Sequence, residues 1–265
     1  MSRIASAFAR AAGEHRAALI PYVCAGDPSL EHTAQTVPRL AEAGADLIEL
    51  GIPFSDPIAD GPVIQAAALR SLRAGTTVRG VLGAVKRIRE GGTRAPLVLM
   101  TYLNPVLAYG LGAFSRDAAA AGVDGVIVPD LPVDEASAVT GELARSGMDL
   151  ILLAAPTTSA DRLARIGRES RGFLYFVSVA GVTGARTGLP PELPEQLAQA
   201  RARSSLPVAV GFGVSTPEHA RILAAHADGV IVGSALVRLL HESGGDLDRA
   251  AEFVRSLAEA MHRAT

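Results

Sequence analysis

Eight short apolar runs, each separated from the next by helical periodicity, leave this chain very few architectures. The runs cover residues 18–23, 47–50, 97–101, 125–128, 150–153, 173–177, 208–211 and 230–232. They are continuously apolar rather than alternating, as expected of parallel strands whose outer face is covered by helices. Amphipathic stretches at 33–43, 78–89, 114–121, 136–145 and 217–225 supply the covering helices. A local repeat marks the joints: Ala43-Gly44-Ala45-Asp46, Ala121-Gly122-Val123-Asp124 and Ser146-Gly147-Met148-Asp149 each precede a strand, with Ala225-His226-Ala227-Asp228 a weaker fourth copy. The glycine suits a left-handed helix end, and the aspartate opens the turn into the strand, a structural role.

Eight strand–helix units predict a single-domain (β/α)8 barrel over 1–265, a TIM barrel, with an extra N-terminal helix in 1–16 covering the barrel floor. The length is close to the ~250 residues usual for that architecture. A doubly wound open sheet is the rival fold. It would want a glycine-rich turn after the first strand, and Cys24-Ala25-Gly26-Asp27-Pro28 does not match that pattern. The basic opening segment also raises the possibility of a targeting peptide. However, Ile4, Ala5, Phe8 and Ala12 repeat at helical spacing, and Arg3 and Arg10 interrupt any apolar signal region.

Charge and composition narrow the partners. With 25 basic against 27 acidic residues and no basic run, nucleic acid and anionic membrane are poor expectations. No apolar stretch approaches the ~20 residues that span a bilayer. The single Cys24 has no internal disulfide partner, which favours a cytoplasmic setting.

Glycines gather where the last two strands end, the place where such barrels often bind phosphate. One strand runs into Gly211-Phe212-Gly213-Val214-Ser215, the other into Gly233-Ser234 and directly on into a helical pattern. Glycine lets backbone approach an oxyanion closely, and a helix start aims N–H groups and partial positive charge at it. A phosphate site is expected there. The loop Gly181-Val182-Thr183-Gly184-Ala185-Arg186-Thr187-Gly188 reads as a lid.

Two carboxylates stand out. Glu49 ends the second strand inside Leu47-Ile48-Glu49-Leu50-Gly51, where a pocket of low polarity would raise its pKa toward neutrality; the alternative is a structural Glu bonded to backbone. Asp60, in the long turn after that strand, fits either catalysis or capping of the helix that opens near Pro62. Asp130 reads first as a turn or pocket-shaping residue. None of the six histidines joins a strand-end cluster, so neither a metal site nor a Ser–His triad is expected. Lys86, the one lysine, lies in a charged helical patch, which argues against Schiff-base chemistry and against pyridoxal phosphate in this chain. Carboxylates remain as the proton-transfer groups. Among phosphate-binding barrels, a sugar isomerase using Cys24 would want an acid after the sixth strand, where Ser178 stands, and an indole-glycerol-phosphate synthase would need a pocket lysine.

The stretch Glu49-Leu50-Gly51-Ile52-Pro53-Phe54-Ser55-Asp56-Pro57-Ile58-Ala59-Asp60-Gly61-Pro62 closely resembles the signature of the tryptophan synthase alpha chain family. The likeness continues in order through 19–28, 100–105, 126–132, 181–184 and 211–215 to Gly233-Ser234. Tyr22 and Met100 stand at wall positions where other members carry different apolar or aromatic residues. The resemblance implies a lyase of tryptophan biosynthesis that cleaves indole-3-glycerol phosphate to indole and glyceraldehyde 3-phosphate. It implies that Glu49 exchanges protons and that Asp60 binds the indole N–H. Gly184, Phe212, Gly213, Gly233 and Ser234 would hold phosphate, and Tyr22, Met100, Ile127, Tyr175 and Thr183 would line the pocket. It further implies a beta chain partner that carries pyridoxal phosphate, in an alpha2beta2 tetramer, with Pro53, Asp56, Pro57, Asn104 and Pro132 facing it. A stand-alone lyase and a catalytically silent regulatory barrel are the alternatives.

Overall fold

The computed structural model describes residues 1–177, 190–211 and 213–262. Nine parallel strand segments form one sheet: β1 (Ala18–Cys24), β2 (Ile48–Gly51), β3 (Leu97–Met100), β4 (Gly125–Ile127), β5 (Asp149–Ile151), β6 (Leu153–Ala154), β7 (Leu174–Val177), β8 (Val208–Gly211) and β9 (Gly229–Val232). Their spatial order is β5-β4-β3-β2-β1-β9-β8-β7-β6. Since β5 and β6 are consecutive in the chain, nine segments make eight staves of a barrel. The fifth stave breaks at Leu152, whose N–H donates to the Ser170 hydroxyl at 3.2 Å while its carbonyl accepts the Tyr175 N–H. The barrel expected from the eight runs is therefore present, with one stave divided.

The outer layer comprises α2 (Leu30–Glu42), α3 (Pro62–Arg73), α4 (Val78–Glu90), α5 (Leu103–Tyr109), α6 (Leu111–Ala121), α7 (Ala136–Arg145), α8 (Ala160–Glu169), α9 (Leu193–Arg203), α10 (Pro217–Ala224), α11 (Ser234–Glu242) and α12 (Leu247–Ala260). The first helix, α1 (Arg3–Gly13), is capped by Ser2, whose hydroxyl accepts the Ala5 N–H. It buries Ile4, Phe8 and Ala11 against Ala18, Leu47, Ile151 and Phe173, closing the barrel interior from below.

Within the barrel, side chains alternate inward and outward with the strand period of two. Ala18, Ile20, Leu47, Val98, Ile127, Ile151, Phe173, Ala209 and Ile231 form the inner core. Leu19, Val23, Ile48, Leu50, Leu97, Leu99, Val208 and Val210 face the helices.

The glycine–aspartate repeat has a specific function in this packing. Gly44, Gly122 and Gly147 all adopt left-handed φ values, of 108°, 94° and 76°. Asp46 accepts the Leu19 N–H at 2.9 Å, Asp124 the Leu97 N–H at 2.8 Å, and Asp228 the Val208 N–H at 2.9 Å. Each carboxylate thus ties its own stave to the neighbouring one. Asp149 instead accepts the Ser2 hydroxyl at 2.9 Å, anchoring the cap of α1. The weaker fourth copy therefore behaves like the first two, and the third does not. Arginines neutralise the carboxylates: Arg16 and Arg10 on Asp46, Arg89 and Arg3 on Asp124, Arg201 on Asp228. Asp46 is 2% exposed, so its replacement leaves the half-buried Arg16 with only the more exposed Glu14 as partner and removes the acceptor of the Leu19 N–H. Asp46→Ala is expected to cost about 3–5 kcal/mol of stability in urea unfolding. A loss below about 1 kcal/mol, the scale of an exposed pair, contradicts that role.

Candidate active site

The inward positions nearest the strand C-termini form the mouth. They are Tyr22 on β1, Glu49 on β2, Met100 on β3, Leu153 on β6, Tyr175 on β7 and Gly211 on β8, and they line a cavity of about 220 Å³. Ala59, Asp60, Gly61, Ile64, Ile127, Pro129, Val177, Ile231, Gly213, Gly233 and Ser234 complete the lining. The cavity therefore joins the two carboxylates to the glycines after β8 and β9. A larger groove of about 840 Å³ runs beside α1 at the opposite end. Its charged groups Arg16, Arg201 and Asp228 are engaged in ion pairs, and neither Glu49 nor Asp60 lines it.

Glu49 is buried, and neither carboxylate oxygen has a hydrogen-bond partner among the described residues. Burial, and second the charge of Asp60, push its pKa up to about 8. The structural alternative, a Glu bonded to backbone, does not match this geometry. Asp60 is partly exposed, and burial raises it to about 6, while a hydrogen bond from Tyr102 works in the opposite direction. The capping alternative is not realised either. Gly61 occupies the N-cap of α3 without a side-chain cap bond, and Asp60 contributes only its carbonyl, which accepts the Gln65 amide at 2.8 Å.

Tyr102 holds this turn in place. Its hydroxyl accepts the Ala59 N–H at 3.0 Å and bonds Asp60, and its ring lies 5.3 Å from that of Phe54. Val98, Met100 and Tyr102 share the inward parity of β3, which is the signal that would have marked Tyr102 as a site residue. The same parity marks Leu153 and Ile231, also absent from the expected lining. Asp130 accepts the Leu103 N–H at 2.9 Å near the start of α5, a turn role. Burial pushes the Cys24 thiol up to about 12, which leaves it no basic function at neutral pH.

Gly233 and Ser234 stand at the start of α11, which no side chain caps. Gly213 has a φ of 47°, a conformation that favours glycine, with open space where a side chain would be. Uncapped helix N–H groups and bare glycine backbone thus face the same cavity, an arrangement that can receive an anion. Thr183, Gly184 and Phe212, with the whole loop 181–188, lie outside the described residues.

Of the residues expected to face a partner, Asp56, Asn104 and Pro132 are exposed and Pro57 is partly so, whereas Pro53 is buried. Two exposed apolar side chains adjoin them in sequence, Ile58 at 83% and Leu107 at 54%. Lys86 is exposed on α4 and reaches only Glu90, at 3.9 Å. No group of three or more His, Cys, Asp or Glu among the described residues is placed to hold a metal, and no described helix is long and apolar enough to cross a membrane.

Comparison with known proteins agrees with this geometry. The sequence model of the family "Tryptophan synthase alpha chain" matches residues 8–265. The tryptophan synthase alpha chain of Geobacter sulfurreducens is 48% identical over 263 residues, covering 98% of this chain and 99% of that one. The Gluconacetobacter diazotrophicus alpha chain is 52% identical over 243 residues, 92% of this chain and 89% of that one. Among solved structures, an alpha chain from Legionella pneumophila superposes with a TM-score of 0.90 at 41% identity, covering 98% of this chain and 97% of that one. A tryptophan synthase structure from Mycobacterium tuberculosis gives 0.91 at 42% identity, covering 99% of both chains. Matched along almost its entire length by family model, relatives and structures alike, the chain belongs to the tryptophan synthase alpha chain family.

Proposed function

We propose that this chain performs the alpha-chain reaction of tryptophan synthase, the retro-aldol cleavage of indole-3-glycerol phosphate to indole and glyceraldehyde 3-phosphate. The observation that carries the assignment is the unpartnered Glu49 carboxyl, raised to about 8 in a cavity shared with Asp60 and the glycine cradle. A carboxyl in that state is protonated at neutral pH, so it can deliver its proton to indole C3. It then recovers a proton from the substrate hydroxyl on the carbon that becomes the aldehyde. Asp60, ionised above about 6, accepts a hydrogen bond from the indole N–H and stabilises the positive charge that develops when C3 is protonated. Gly213, Gly233 and Ser234 bind the phosphate at the other end. Tyr22, Met100, Ile127 and Tyr175 wall the space between.

The products fit a coupled enzyme. Indole is small and apolar and would be lost by diffusion through membranes, so direct transfer to a second subunit retains it. The partner is a beta chain, which supplies the pyridoxal phosphate chemistry that joins indole to serine, and the pair assembles as an alpha2beta2 tetramer in the cytoplasm. The exposed Asp56, Asn104 and Pro132 and the partly exposed Pro57, with Ile58 and Leu107 near them, form the docking face around the cavity mouth. The decisive experiment incubates purified chain with indole-3-glycerol phosphate, with and without a beta chain, and measures indole. Faster release and co-elution with the beta chain are expected. No indole in either arm makes the chain a silent subunit; equal rates without a complex make it a stand-alone lyase.

A further inference from the structure

Tyr22 carries a polar atom that a wall residue does not need. Its ring lies across the barrel mouth between two glycines. A methyl carbon added to Gly51 would stand 2.0 Å from Tyr22 Oη and 2.5 Å from its Cζ, whereas one added to Gly233 would stand 3.7 Å from Tyr22 Cβ. The root of the side chain therefore adjoins the anion cradle, and its hydroxyl end rests on Gly51. Gly51 lies two residues beyond Glu49 on the same face of β2, and Glu49 is itself the register partner of Tyr22. The phenol thus runs from the phosphate end of the cavity to the proton-transfer end.

A buried phenol hydroxyl normally finds a good hydrogen-bond partner. Here the side chain is 6% exposed, lines the cavity and packs with Cys24 and Ile64. Glu49 and Asp60 both act on it electrostatically. A substrate laid along this cavity has an indole N–H at one end, a phosphate at the other, and hydroxyls on the three-carbon chain between. The hydroxyl that must approach Glu49 is the one on the carbon that becomes the aldehyde, and Tyr22 Oη is the phenol atom nearest that end.

We propose that Tyr22 is a specificity residue whose hydroxyl hydrogen-bonds this substrate hydroxyl, fixing the scissile carbon beside Glu49. The inference rests on the reaction proposed above. A site that hydrogen-bonds a substrate hydroxyl discriminates against analogues lacking it far more strongly than an apolar wall does.

The test compares the protein with its Tyr22→Phe variant, which keeps the ring and removes one oxygen. Two ligands are used: indole-3-glycerol phosphate for turnover, and indole-3-propanol phosphate, which lacks both chain hydroxyls, for binding. The variant is expected to lose about 10–100-fold in kcat/KM, the scale of a polar contact left unmade in a dry site. Its affinity for the propanol analogue should stay within about twofold of the parent, because ring and phosphate contacts are untouched. Unchanged turnover in an active protein overturns the role of Tyr22. So does an equal loss for substrate and analogue, which would make Tyr22 packing alone. An inactive parent protein instead overturns the reaction itself.

Discussion

Glu49→Gln is expected to slow indole release by on the order of 10³–10⁴-fold while leaving glyceraldehyde 3-phosphate binding intact, since removal of a general acid–base group costs up to that much. In free energy this is roughly 4–5 kcal/mol of transition-state stabilisation. The amide keeps the shape of the side chain and removes its exchangeable acid proton. The same substitution has a second, opposite signature. In the folded protein Glu49 keeps its proton up to about pH 8, whereas in the unfolded chain it ionises near 4.5. Between those values the folded state binds more protons, so the contribution of Glu49 to stability is present below 4.5 and is lost as pH rises through 8. Glutamine has no such term. The melting temperature of Glu49→Gln relative to the parent should therefore climb from pH 5 to pH 9. Activity within tenfold of the parent, or a melting difference that falls with pH, removes Glu49 from its assigned role.

Asp60→Asn is expected to cost about 10²–10³-fold in kcat, the range seen when a group aimed at developing charge is removed. The pH profile discriminates further. On the proposed mechanism the parent needs Asp60 ionised and Glu49 protonated, so its rate should show limbs near 6 and 8. In the variant the acid limb disappears. The alkaline limb also moves to lower pH, because the charge of Asp60 is the second cause holding Glu49 up. An unmoved alkaline limb would reject the coupling between the two carboxylates, and a retained acid limb would reject the role of Asp60. The turn itself should survive, since Tyr102 still accepts the Ala59 N–H.

The barrel was legible from the sequence because its signal is local: a run of apolar residues for each stave, helical periodicity between them, and a glycine where each of three helices turns back. The division of the fifth stave was not legible, because it depends on the Ser170 hydroxyl taking the Leu152 N–H across 18 residues. At the site, Glu49 announced itself as an acid within an apolar strand. Asp60 did not, since a carboxylate just before a helix also reads as a cap, and only the position of Gly61 at the N-cap separates the two. Tyr102 escaped notice as a site residue because it lies two residues beyond the end of β3, and its inward parity shows only when the strand pattern is carried past that end. The assignment of the joint aspartates to structure was right in kind, but their bonds to the adjacent stave need three-dimensional neighbours to be seen.

Those joint aspartates also separate the tasks of the two ends of the molecule. At the lower rim, carboxylates are quenched by arginine and backbone N–H groups and lace one stave to the next. At the upper rim the one carboxyl that matters most is left without any such partner. Because the lacing does not draw on the upper loops, those loops are free to diversify without unravelling the cylinder. New substrates could be accommodated by rewriting the rim alone, and designers seeking to retarget this scaffold should leave the lower stitches untouched.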